Sequence, residues 1–66
     1  MTNTEKLENA ISESGITKRA LASKLGITEM AFYNKVNDKS PFKASEMLKL
    51  CELLSIKNPV EIFLDQ

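Results

Sequence analysis

Residues 17–36, T-K-R-A-L-A-S-K-L-G-I-T-E-M-A-F-Y-N-K-V, allow few folds. Thr17 can cap a helix with its hydroxyl, and Leu21, Ala22 and Leu25 then fall on one face. Gly26 follows the last apolar residue of that helix, where a sharp turn calls for a left-handed backbone. Ile27 is placed to plug the gap between two helices. Thr28 can cap a second helix, with Phe32 and Val36 four apart on its inner face. The small Ala22 lets the two helices approach closely at the turn. A helix, a tight turn and a helix at this spacing can set the second helix into a DNA major groove. Two amphipathic helices about a glycine also occur in other small helical domains, so periodicity alone leaves both readings open.

The rest of the chain supplies helices to pack on this pair. A first helix is predicted from about Thr4 to Ser14, with Leu7, Ala10 and Ile11 inward and Gly15 ending it. Ile16 is a core candidate in the following turn. Asn37 to Pro41, N-D-K-S-P, reads as a loop, with Phe42 packing back into the core. A fourth helix is predicted from about Ala44 to Leu54, with Met47, Leu48, Leu50, Cys51 and Leu54 as its apolar stripe. A fifth starts at Asn58 as cap, with Pro59 in the first helical position and Glu61 reaching back. Val60, Ile62, Phe63 and Leu64 follow. The expected fold is all-α: a compact five-helix bundle, residues 1–66 forming a single domain with the helix-turn-helix in helices 2–3.

Composition narrows the function. A domain this short has little room for a core and a catalytic cleft together. There is one cysteine, Cys51, and no histidine, so neither an intramolecular disulfide nor a Cys/His zinc site is expected. Cys51 reads as a small buried hydrophobe. No serine has a histidine base and no carboxylate pair has an obvious site, so the chain reads as no enzyme, with no cofactor, metal or small-molecule ligand. No apolar run approaches the roughly 20 residues of a membrane span, and no signal pattern opens the chain; a cytoplasmic protein is expected.

Nine basic and nine acidic side chains leave a net charge of zero, which is unusual for a protein that holds phosphates. The distribution is uneven. Residues 17–43 carry Lys18, Arg19, Lys24, Lys35, Lys39 and Lys43 against Glu29 and Asp38, a balance of +4. Residues 1–16 and 44–66 each carry −2. Positive charge thus gathers on the helix-turn-helix, and such a field favours one docking orientation.

The ordered set of Ala22, Gly26, Ile27, Thr28 and Phe32 resembles the helix-turn-helix of the lambdoid phage Cro and CI repressors and their bacterial relatives, the XRE family. Through A-F-Y-N-K-V-N-D-K-S-P-F and S-E-M-L-K-L-C-E-L-L the wording is similar to small Cro-like proteins or modulators of repression of Gram-positive temperate phages. The resemblance implies two sets of contacts. Bases would be read by Thr28, Glu29, Met30, Tyr33 and Asn34. Asn34 would suit adenine, Glu29 the cytosine amino group and Met30 a thymine methyl. Phosphates would be held at the start of the second helix by Thr17, Lys18 and Arg19, where free amides and the helix dipole favour an anion. Asn37 matches a phosphate-binding position of such repressors, and Lys35, Lys39, Ser40 and Lys43 would extend the contact.

Three positions depart from the pattern. Many relatives have glutamine or arginine where Glu29 stands. Many have an apolar residue at Lys35, a role that Val36 takes here one residue later. A threonine is common at Lys43, giving a capping box with Glu46; a lysine cannot accept the backbone N–H, so half of that box is missing.

The resemblance implies a Cro-like repressor acting on a double-stranded DNA operator at a phage or prophage switch, in a bacterial host and associated with its nucleoid. Ile62, Phe63 and Leu64 either close the core or form a homodimer contact. The alternative is an antirepressor that joins a CI-type lysogeny repressor, with weak or no DNA binding alone. The exposed Met30/Tyr33 pair would suit such a partner, as would acidic patches at Glu5, Glu8 and Glu13 or at Glu46, Glu52 and Glu61.

Overall fold

The computed structural model describes residues 1–64. They form five helices: α1 Thr4–Ser14, α2 Lys18–Leu25, α3 Glu29–Val36, α4 Ala44–Leu54 and α5 Pro59–Phe63. All regular structure among the described residues is helical.

Short polar side chains start the first three helices. Asn3 accepts from the Lys6 amide at 3.0 Å, Thr17 from Ala20 at 3.1 Å and Thr28 from Ala31 at 3.0 Å. Each satisfies an amide that the helix leaves unbonded. The turn between α2 and α3 has the two-bond C-cap that Gly26 permits. The Ile27 amide donates to the Ala22 carbonyl at 3.0 Å and Gly26 to Ser23 at 3.1 Å. Gly26 sits at φ 74°, and a Cβ there would meet nothing within 4 Å. Backbone conformation, not space, is what calls for glycine.

The core is built from every helix. Leu7, Ile11, Leu21, Ala22, Phe32, Val36, Leu50, Leu54, Ile62 and Phe63 are buried, with Phe42 from the α3–α4 loop among them. Phe42 meets Phe32 and Phe63 edge to face, with centroids 6.2 and 5.5 Å apart. Such pairs add about 0.5–1.5 kcal/mol each beyond the area they bury. Ile16, Leu25, Ile27, Met47 and Cys51 are partly buried against this cluster. The amides and hydroxyls before and within α1 reach across the molecule. Asn3 donates to the Ile62 carbonyl, and the Thr4 hydroxyl donates to the Val36 carbonyl at 2.8 Å. The C-terminal end of α3 is thereby tied to α1.

Two expectations are corrected, and a third position was open between two readings. Leu48 is 67% exposed, not part of the α4 stripe. It lies two residues from both Glu46 and Leu50, about 200° around the helix from that buried line. Leu53 packs on the core. At α5, Pro59 takes the first helical position, but Asn58 makes no side-chain cap bond and no box with Glu61 forms. Asn58 sits at φ −128°, whereas the three capping residues lie at φ −82°, −73° and −72°. Of the trio read as either core closure or dimer contact, Ile62 and Phe63 close the core, 8% and 2% exposed, and Leu64 faces outward, as does Val60.

Candidate nucleic-acid interface

α3 has an inner side and an outer one. Phe32 and Val36 are fully buried, and Thr28 fixes the start of the helix. The periodicity that buries them turns Glu29, Met30 and Tyr33 outward, one helical turn deep. Met30 is 67% and Tyr33 50% exposed, and with Glu29 they line a shallow surface hollow. Asn34 is half-buried beside them. Thr28 is exposed, and its oxygen is engaged in the cap, which leaves its hydroxyl proton to donate. The residues expected to read bases therefore share one side of α3, with Asn34 at its edge.

The expected phosphate residues divide into groups. Thr17 and Arg19 are exposed at the start of α2, and the Thr17 oxygen accepts from the Ala20 amide. Lys39 and Lys43 are exposed at either end of the loop after α3, with Ser40 half-buried between them. Arg19 and Lys39 form no ion pair among the described residues. Lys18 does form one: its ammonium donates to Glu8 Oε2 of α1 at 2.9 Å and lies 5.9 Å from the centroid of the Tyr33 ring. Asn37 turns its side-chain amide back onto the Tyr33 carbonyl at 2.9 Å, where it helps close the end of α3. One of the two protons of that amide is thus committed inside the protein.

Lys35 is the residue the sequence reading misplaces. Its ammonium donates to Glu46 Oε1 at 2.6 Å, and only 13% of its side chain and 7% of that of Glu46 is exposed. Lys35 points into the seam between α3 and α4, away from the outer side of α3. The same Glu46 oxygen accepts the Lys43 amide at 2.8 Å, closing the half of the capping box that a lysine at Lys43 permits. Burial pushes the Glu46 carboxyl up, but the Lys35 ammonium and the Lys43 amide outweigh it and hold the carboxyl below its ordinary value. Glu46 is therefore also withdrawn from the acidic surface expected of residues 46, 52 and 61. A signal for this pair was present: a lysine immediately before a core valine needs an anion if its face is buried. The half-buried Cys51 has its thiol pushed up by burial, away from the reactive thiolate.

No group of metal-ligating side chains gathers among the described residues, and no helix there is long and apolar enough to cross a membrane. A family model described as a Cro/C1-type HTH DNA-binding domain matches residues 6–64. No curated protein and no solved structure matches the chain.

Proposed function

The chain belongs to the Cro/C1-type helix-turn-helix DNA-binding family, and from that premise we propose a sequence-specific transcriptional regulator, a Cro-like repressor of a phage or prophage switch. Family membership makes it a DNA-binding regulator. The observation that favours sequence reading is the division of α3: Phe32 and Val36 hold the helix by burial while Glu29, Met30 and Tyr33 stand outward with Asn34 beside them. A helix held this way presents side chains to base edges at a fixed angle. Arg19, Lys39 and Lys43, flanking it, supply charge for phosphates. Thr28, Met30 and Asn34 then discriminate bases, and Glu29 accepts from a cytosine amino group, which offsets the cost of a carboxylate near phosphates.

A second reading has its own support. The hollow lined by Glu29, Met30 and Tyr33 is apolar and acidic, and the whole chain carries no net charge. That chemistry also suits the basic face of a CI-type repressor, which this protein would sequester as an antirepressor. A homodimer on a pseudo-palindrome would use Val60 and Leu64, which are exposed, rather than the buried Ile62 and Phe63.

Fluorescence anisotropy separates the readings. The duplexes would come from the intergenic DNA flanking the gene, at low and moderate salt, with and without the neighbouring repressor. Sequence-preferring binding by the protein alone, weakening as salt rises, is the expected result. No binding alone, with a shift in the repressor's affinity on addition, would transfer the conclusion to the antirepressor.

A further inference from the structure

Lys18 is the first residue of α2, where unbonded amides and the helix dipole favour an anion. Its ammonium already has one: the Glu8 carboxylate of α1, at 2.9 Å. The two side chains are 35% and 37% exposed, so water and a ligand reach both. The Lys18 ammonium also lies 5.9 Å from the centroid of Tyr33, at the edge of the range in which a cation feels an aromatic face. Tyr33 shares the outer side of α3 with Glu29 and Met30. A duplex laid on that side therefore passes next to Lys18, and next to the carboxylate that neutralises it.

From this juxtaposition we propose that Glu8, which lies outside the helix-turn-helix, sets DNA affinity by competing with phosphate for Lys18. The inference rests on the DNA-binding reading above. An exposed lysine–carboxylate pair is weak enough to exchange. While the carboxylate remains, an approaching backbone meets a neutral pair where it would otherwise meet a cation. Affinity from counterion release scales with the number of phosphates neutralised, so Glu8 subtracts about one phosphate from the interface. In a chain of zero net charge, one such subtraction is a large share of the available attraction.

The test is fluorescence anisotropy with a labelled duplex of mixed sequence, over a range of salt, using the intact chain. Four proteins are compared: wild type, Glu8→Gln, Glu8→Gln/Lys18→Gln and Glu13→Gln. Glu13 lies beside the α4–α5 connection and removes the same charge from the same helix at another site. Circular dichroism verifies that each is folded. Glu8→Gln should bind several-fold tighter at low salt, with a slope of log K against log salt steeper by about 0.9. Between about 50 and 200 mM salt it should then lose about 3.5-fold more affinity than wild type. The double variant should return to the wild-type slope, and Glu13→Gln should not change it. A Glu8→Gln protein that binds no tighter than wild type overturns the proposal and leaves the DNA reading standing, as does an equal gain from Glu13→Gln. Failure of all four to bind the duplex at low salt overturns the DNA reading and this proposal with it.

Discussion

Two ion pairs join the helix-turn-helix to the helices that flank it, and they differ in what water can reach. Lys35–Glu46, between α3 and α4, is 13% and 7% exposed; Lys18–Glu8, between α2 and α1, is 35% and 37% exposed. Both lysines lie in the stretch that carries the chain's excess positive charge, so by sequence they look alike. In three dimensions one charge is sealed inside a seam and spent on holding the fold. The other is weakly held at the surface and remains exchangeable. A formal charge balance of +4 over residues 17–43 therefore overstates what a phosphate meets. Counting lysines says how much charge a segment owns, whereas the partner and burial of each say how much it can offer.

The contrast is sharpest in stability. Lys35→Met strands the buried Glu46 carboxylate and should cost about 3 kcal/mol, read as a lower urea midpoint at unchanged slope. For a domain of this size that is a large fraction of the whole. Lys35→Met/Glu46→Gln removes both charges while a glutamine oxygen can still accept the Lys43 amide, and it should recover most of the loss. If Lys35→Met alone is neutral, the pair is not the buried contact described.

Acid should expose the same pair. The folded Glu46 carboxyl is held below its ordinary value, so its contribution is complete above the unfolded carboxylate range. It is lost as pH falls through the lower folded value. Urea unfolding across pH 7 to 3 should show stability falling on the acid side, and Glu46→Gln should flatten that fall. An unchanged pH profile in Glu46→Gln would assign the acid sensitivity elsewhere.

DNA binding should divide the cations differently. Arg19→Gln should reduce the salt slope by about 0.9, the share of one phosphate. Lys35→Met, assayed where it is folded, should leave the slope alone, because its charge never reached the surface. Equal slope losses in the two would dissolve the distinction. The smallest effect is expected from Lys18→Met on stability, at most about 1 kcal/mol by thermal or urea unfolding, since exposed pairs contribute little.

What was legible in the sequence follows the range of the forces involved. Helix ends depend on neighbours a few residues apart, and Thr17, Thr28, Gly15 and Gly26 sit where their capping chemistry places them. The inward faces of α1, α2 and α3 follow from 3.6-residue periodicity, which Leu7, Ile11, Leu21, Phe32 and Val36 obey. Leu48 shows where that reasoning runs out. In a helix with six leucine, methionine and cysteine positions close together, only the angle around the axis decides which one faces water. The ion pairs are ten and eleven residues apart in sequence, and no local rule joins them. The Lys35 departure from the family pattern was visible, but its partner belonged to α4 and to tertiary packing. Glu8 and Glu46 read from the sequence as acidic surface for the same reason: the lysines that pair with them lie on other helices.

On the proposed reading, DNA meets the outer side of α3 and the start of α2, with Lys18 exchangeable and Lys35 withheld. Chemical-shift mapping by NMR tests it most directly, recording backbone amides and lysine ammonium groups as a duplex from the flanking intergenic DNA is added. The largest changes are expected at residues 17–19, 28–30, 33 and 34, with the Lys18 ammonium shifting and the Lys35 ammonium unmoved. Changes centred on Val60 and Leu64, or a Lys35 ammonium that responds as strongly as Lys18, would contradict it.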